Sequence, residues 1–251
     1  MTPKLPDDIF DKKSPEQRNF AVDKLLEKVS KERNEEFGRY LTGLFVRTMK
    51  QPNIAGRILG FGSMTNDVKV DFTQSFMDAL IDLINKDIDE DKVKIYNQSG
   101  ELINGPDSTI SKHSLSLFKE DIKIPKMKVA DVPRKGFQMG MGPTKDLGIN
   151  FDWPLYKMTD CFLMDLRHES GHVVDVFAPN ISPIGNISLE ASRNYVSPEE
   201  NPDYYARNPH EGNANTGRSE YADAIRQALK EIEAGAGNFK SICEACNDSY
   251  S

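Results

Sequence analysis

The sequence predicts an α+β fold, in which a helical N-terminal region precedes a region with a small β-sheet and one long helix. Apolar residues recur at helical spacing before residue 90, and apolar and polar residues alternate in the middle of the chain. A long amphipathic stretch follows near residue 160. We therefore expect a helical region over residues 1–90 and an α+β region over residues 91–251, arranged either as two units or as one compact domain.

The N-terminal region is expected to form three helices. Residues 14–17 (SPEQ) have the form of a capping box with proline in the first turn, which is typical of a helix start. Thr73 is expected to cap the third helix. The apolar stripes expected to face the core are Phe20, Val22, Leu25, Leu26 and Val29 in the first helix, Phe37, Leu41, Leu44 and Phe45 in the second, and Phe76, Leu80, Leu83 and Ile84 in the third.

The middle of the chain is expected to supply the sheet. Residues 98–100 (QSG) separate two short apolar runs, which predicts a hairpin. Residues 115–130 alternate apolar and polar side chains, as half-buried strands do. Residues 134–150 are rich in glycine and proline and are expected to form a long loop or an edge strand with bulges.

The long helix is expected to begin at Thr159 or Asp160 and to end before Pro179, because proline cannot continue a helix. Residues 180–218 are dense in Asn, Pro, Gly and Ser, which predicts an extended loop region. A last amphipathic helix is expected over residues 218–233.

A possible metal site lies inside the long helix, where residues 168–172 (HESGH) have the form H-E-x-x-H. Helical spacing puts His168 and His172 on one face, so both imidazoles can reach one zinc ion at about 2.0–2.1 Å. Glu169 is then placed to hold a water molecule beside that ion. The alternative is an ordinary helix with two histidines. Two of the chain's four histidines fall within these five residues, which favours the metal site.

Composition excludes several other classes of function. The net charge is −7 and the basic stretches are broken by acidic or apolar residues, which argues against a nucleic-acid-binding protein. No apolar run suits a signal peptide or a membrane span, so we expect a cytoplasmic protein with no membrane contact, or one exported by a signal-peptide-independent route. Cys243 and Cys246 form a single C-x-x-C, and without a second pair they are expected to be reduced thiols.

The segment 168–172 resembles the active-site helix of the zincin metallopeptidases, in which two histidines bind zinc and the glutamate is catalytic. The longer metzincin pattern does not fit, because Asp175 and Ala178 occupy its later positions. A third ligand must then lie downstream, most simply a glutamate, as in the gluzincins. The stretch from about 159 to 226 looks most like small bacterial effector or toxin peptidases.

The resemblance gives an order of preference for the third ligand. Residues 205–214 have the form Y-x-x-x-P-x-E-x-x-A, and a similar string carries the ligand glutamate in several compact zincins. This favours Glu211, although the glycine and asparagines after it leave open whether it lies on a helix or a loop. Glu220, in the first turn of the last helix, is the alternative. The weaker candidates are His210, Glu190 and Glu200.

The function that the resemblance implies is hydrolysis of a peptide bond in a protein or peptide substrate, with Zn2+ as cofactor and Glu169 as general base. An endopeptidase of effector or toxin type is the first expectation, and a zinc amidase of cell-wall peptide would use the same ligands. The alternative class is a degenerate zincin or a metal-stabilised interaction domain without catalysis. The residue that stabilises the transition state is left open among Tyr205, Arg218, Tyr221 and His210.

Overall fold

A computed structural model gives the architecture of the chain. It describes residues 30–134, 138–141, 146–187, 190–191, 194–196 and 200–235, together with six single positions between 17 and 27. The Cys243/Cys246 pair, most of the stripe of the first predicted helix and all of the predicted capping box except Gln17 lie outside these residues. The described part confirms the predicted class, because long helices surround one small sheet.

The described part of the N-terminal half contains helices α1 (Lys31–Met49), α2 (Pro52–Ile58) and α3 (Asn66–Asp89). Ser30 caps α1, since its side chain accepts a hydrogen bond from the backbone N–H of Arg33. The prediction that Thr73 caps α3 is wrong, because α3 begins seven residues earlier, after Thr65. Thr73 lies inside the helix, where its hydroxyl donates a hydrogen bond to the carbonyl of Lys69, so it is satisfied without capping the helix.

The connection to the sheet contains the predicted hairpin and one unexpected helix. Tyr96 and Leu102 form a single antiparallel bridge across a turn in which Gly100 has a φ of 81°. Residues 115–121 are not a strand, because they belong to helix α4 (Lys112–Asp121), which is capped by Ser111. Leu115 and Phe118, three residues apart, face the core at helical spacing, and Leu117 is exposed.

The sheet has three short strands in the order β1–β3–β2, namely β1 (Val129–Asp131), β2 (Met139–Met141) and β3 (Leu147–Ile149). The central strand β3 pairs in parallel with β1 and antiparallel with β2. Residues 134–150 therefore hold an edge strand, as expected, and also the fully buried central strand. The amide of Gln74 in α3 fixes β1, because it donates to the carbonyl of Met127 and accepts from the N–H of Val129.

In the described part of the chain, the sheet is followed by helices α5 (Thr159–Phe177), α6 (Pro202–Arg207), α7 (Pro209–Asn215) and α8 (Arg218–Ala234). The long helix α5 is present as predicted, but Met158 occupies its N-cap position and makes no side-chain hydrogen bond there. The expectation of an extended loop over 180–218 is wrong where α6 and α7 form. Asn201 and Asn208 cap these two helices, and each is followed directly by a proline in the first helical position.

One hydrophobic core joins the two regions expected from the sequence. It runs from Phe37 in α1 to Ile232 in α8 and includes the buried faces of α3, α5 and the sheet. Arg167 crosses from α5 to α1, where its guanidinium donates to the carbonyl of Gly38 and to the hydroxyl of Thr42. The candidate site is therefore carried on a helix that is fixed on several sides. Among the described helices, none is long and apolar enough to cross a membrane.

Candidate metal centre

Helix α5 places both histidines of the motif on one side of the helix. Its apolar face is buried in the core through Phe162, Leu163, Leu166, Val173 and Val174. His168 and His172 face the other way, and their side chains are 15% and 14% exposed. Their rings lie nearly perpendicular, and the two Nε2 atoms are 3.1 Å apart. The Nε2 atoms of both imidazoles therefore point into the same small region of the site.

Helix α7 brings Glu211 to that point. Asn208 begins the helix by accepting a hydrogen bond from the N–H of His210, which puts Glu211 in the first turn. The helix can approach α5 closely because Gly171 has no side chain: a Cβ there would lie 3.1 Å from the Cα of Ala214. Glu211 therefore lies on a short, capped helix rather than on a loop, which resolves the alternative left open by the sequence.

Each histidine of the pair faces one carboxylate oxygen of Glu211. Oε2 of Glu211 is 3.3 Å from Nε2 of His168, and its Oε1 is 3.5 Å from Nε2 of His172. Ligands at about 2.1 Å from a tetrahedral zinc lie about 3.4 Å from one another. Oε2 of Glu211 is buried, and its contact with Nε2 of His168 lacks hydrogen-bond geometry, so a cation among these atoms would satisfy it. The residues present fit the metal that the motif implies.

The charges at the site shift the pKa values of Glu211 and His172 in opposite directions. Burial alone would raise the pKa of Glu211, but contacts with His168 and His172 outweigh burial and hold that pKa well below its usual range. Burial lowers the pKa of His172, whereas Glu211 and Glu169 beside it raise it to about 9. The site therefore attracts positive charge, which a proton supplies in the metal-free protein and a metal ion can supply instead.

Glu169 lies at the same site and is buried. It lines a cleft of about 170 Å³ together with His168 and Glu211. Burial raises the pKa of Glu169, and the charge of the two histidines offsets part of this effect. A carboxylate with a raised pKa accepts a proton more readily near neutral pH than an exposed one does. Its placement suits the role predicted from the sequence.

The other predicted candidates divide between the cleft and the rest of the molecule. Tyr205 and Arg218 line the cleft. Tyr221 does not, because it is buried in the core with its ring 5.0 Å from the guanidinium of Arg167. The alternative carboxylates Glu190, Glu200 and Glu220 are all exposed, in contrast to Glu211, which is buried between the histidines.

His210 belongs to a second cluster next to the candidate centre. Ligand atoms of His172, Asp175 and His210 lie within 4.8 Å of one another. Asp175 in this cluster already accepts hydrogen bonds from Ser182 and Asn213, so it is arranged as a hydrogen-bonding residue rather than as a metal ligand. Nδ1 of His210 lies 3.3 Å from Oδ2 of Asp175, whereas Glu211 contacts both histidines of the motif.

Two residues at the site were missed by the sequence analysis. Asp175 lies one helical turn after His172, and only its position on the motif face could have indicated it. The hydroxyl of Tyr195 lies 3.4 Å from Oε1 of Glu211, and its ring packs edge-on against Tyr205. Tyr195 lies in the segment predicted as loop, where no periodic pattern points to a tyrosine.

Comparisons with protein families, with curated proteins and with solved structures find no match for this chain.

Proposed function

We propose that this protein is a zinc-dependent peptidase of the HExxH type, an endopeptidase similar to bacterial effector or toxin peptidases. The observation that carries the proposal is the convergence of His168, His172 and Glu211 at ligand spacing next to the buried carboxylate of Glu169. Two helices far apart in sequence must pack closely to produce it. A fortuitous pair of histidines needs neither the third ligand nor the adjacent acid.

The catalytic proposal follows from the groups of the chain. His168, His172 and Glu211 would hold the metal through two nitrogens and a carboxylate. A zinc ion in this position would polarise a substrate carbonyl and make water acidic enough to attack it near neutral pH. Glu169 would accept the proton of the attacking water and transfer it to the leaving amine. The buried setting of Glu169 supports this proton-transfer role.

Three groups are candidates for stabilising negative charge on the substrate oxygen. Tyr205 and Arg218 line the cleft, and the hydroxyl of Tyr195 lies beside Glu211. Burial, with the charge of Glu211, keeps both hydroxyls protonated by raising the pKa of Tyr195 and of Tyr205 above the ordinary value. They can therefore act as hydrogen-bond donors. Tyr221 is not proposed for this role, because it lies in the core.

The surroundings of the cleft suit an extended polypeptide. Met139, the first residue of β2, lines the cleft beside His168. In the described part of the chain β2 is an edge strand that pairs only with β3. An edge strand offers backbone N–H and carbonyl groups to a peptide in extended conformation. This supports a protein or peptide substrate and not nucleic acid.

A non-catalytic function is the competing hypothesis, either a degenerate zincin or a metal-stabilised interaction domain. A purely structural site has no need of Glu169, so the buried acid favours the enzyme.

The primary test is zinc content, measured by elemental analysis of protein purified without a metal-affinity tag. We expect close to one zinc per chain, together with zinc-dependent cleavage of a peptide library. Background zinc in folded protein would contradict the proposal, and zinc without cleavage would favour the non-catalytic alternative.

A further inference from the structure

We infer that Asp175 is a positioning residue for the proposed metal centre, which fixes α7 against α5 so that Glu211 faces the two histidines. The inference rests on the proposed function, because it assigns the residue that holds the third ligand in place. Asp175 lies on α5 three residues after His172, and it is 1% exposed. It is not one of the three proposed ligands, and no step of the proposed mechanism uses it.

The carboxylate of Asp175 connects three segments of the chain. Its Oδ1 accepts from the amide of Asn213 at 2.8 Å and from the hydroxyl of Ser182 at 2.5 Å. Its Oδ2 lies 3.3 Å from Nδ1 of His210. Asn213 and His210 belong to α7, and Ser182 belongs to the turn after α5. One buried carboxylate thus connects α5, the following turn and α7.

The contacts to α7 lie on both sides of the proposed ligand. His210 precedes Glu211 by one residue and Asn213 follows it by two. A second close contact comes from Gly171, which packs against Ala214 and sets the distance between the two helices. The pair of contacts from Asp175 fixes the rotation and register of α7, while the contact at Gly171 fixes its separation from α5. Together they determine where the carboxylate of Glu211 lies.

The energetics favour a specific role over general stabilisation. Burying a carboxylate is unfavourable unless hydrogen bonds satisfy it, and apolar residues of similar volume often stabilise a core at least as well. Hydrogen bonds to an ionised acceptor are stronger and more directional than neutral ones. They are therefore suited to holding one helix in a single orientation. Groups beside a metal site that orient its ligands contribute about 10–100-fold to metal affinity.

The experiment compares zinc affinity in Asp175→Asn with that in a matched variant, Asp87→Asn, by competition with a chromophoric chelator. Asp87 is also a buried helical aspartate, but it lies in α3 and contacts Arg47. We expect Asp175→Asn to weaken zinc binding about 10–100-fold and Asp87→Asn to change it less than about twofold. If the two variants have equal zinc affinity, the inference is overturned. Asn213→Ala, which removes one contact from the α7 side, gives the same test if Asp175→Asn does not fold.

A double-mutant cycle with Glu211→Ala then separates positioning of the ligand from other effects. If Asp175 acts through Glu211, the effect of Asp175→Asn on zinc affinity should fall below about twofold in the Glu211→Ala background. Equal losses in both backgrounds would mean that Asp175 acts on His172 or on stability alone, which overturns the inference. Wild-type protein without zinc affinity would overturn the proposed function as well, so the two failures are distinguishable.

Discussion

Glu169 is the residue on which catalysis should depend most directly. Glu169→Gln retains the size of the side chain and leaves both histidines and Glu211 in place, but it removes the proton acceptor. We expect zinc content and melting temperature to stay at wild-type values, while kcat for peptide hydrolysis falls by about 10²–10⁴-fold. Zinc analysis and steady-state kinetics on the same preparation measure both. Activity within about tenfold of wild type would exclude Glu169 as the general base.

The assignment of Glu211 as the third ligand can be tested with single substitutions, because Glu220 serves as a control. Glu211 is buried between the histidines and Glu220 is exposed at the start of α8. We expect Glu211→Ala to weaken zinc binding by more than about 100-fold, beyond the usual effect of a residue that only orients a ligand. Glu220→Ala should change it less than about twofold. The opposite order in a zinc titration would assign the role to Glu220.

The candidate site could be predicted only in part from the sequence. His168, Glu169 and His172 are local, since helical periodicity alone places them together. The proposed third ligand, Glu211, is not local, because the approach of α7 to α5 depends on Gly171, Ala214 and the hydrogen bonds of Asp175. A short string around Glu211 indicated the residue, but its position relative to the histidines is a property of helix packing.

At the level of elements, the glycine at the contact between α5 and α7 should be sensitive to substitution. Gly171→Ala adds a Cβ 3.1 Å from the backbone of α7, so the gain in helix propensity is offset by a steric conflict. We expect no gain in stability and about tenfold weaker zinc binding, since α7 must move.

Gly43 in α1 is the matched control, because a Cβ there meets nothing within 4 Å. Gly43→Ala should stabilise the protein by about 1 kcal/mol without changing zinc affinity. Urea unfolding and zinc titration measure both variants. An equal gain in stability from Gly171→Ala would show that the contact with Ala214 is not tight.

Several elements could not be predicted because their signals are short. Residues 115–121 show alternation and helical spacing at once, and the side chain of Ser111 provides the cap that leads to a helix. Helices α6 and α7 have six and seven residues, too few for a periodic pattern, and their asparagine caps and prolines are also typical of turns. Tertiary packing decides whether such short segments form a helix, a strand or a loop. The long helices α1, α3, α5 and α8 have clear apolar stripes and were expected.

For the whole molecule, removal of the metal should lower stability by an amount that grows with the logarithm of zinc affinity. Zinc present at about 100 times its Kd stabilises the folded state by about 2.7 kcal/mol, if the unfolded chain does not bind it. For a protein of this size, that corresponds to a fall of about 5–10 °C in Tm on chelation. His168→Ala and His172→Ala should lose this zinc-dependent shift, whereas Glu169→Gln should keep it. Differential scanning calorimetry with and without chelator measures it, and a wild-type Tm that does not respond to zinc would contradict a ligand role for these histidines.

The origin of the proposed ligands in α5 and α7 has a further consequence for the whole chain. Glu211 follows His172 by 39 residues, so a metal bound to both would act as a cross-link that closes the intervening segment into a loop. Opening this segment would then require release of the metal. Limited proteolysis should cut between the two helices readily after chelation and slowly with zinc bound. Metal supply would therefore set the lifetime of the protein as well as the activity proposed for it.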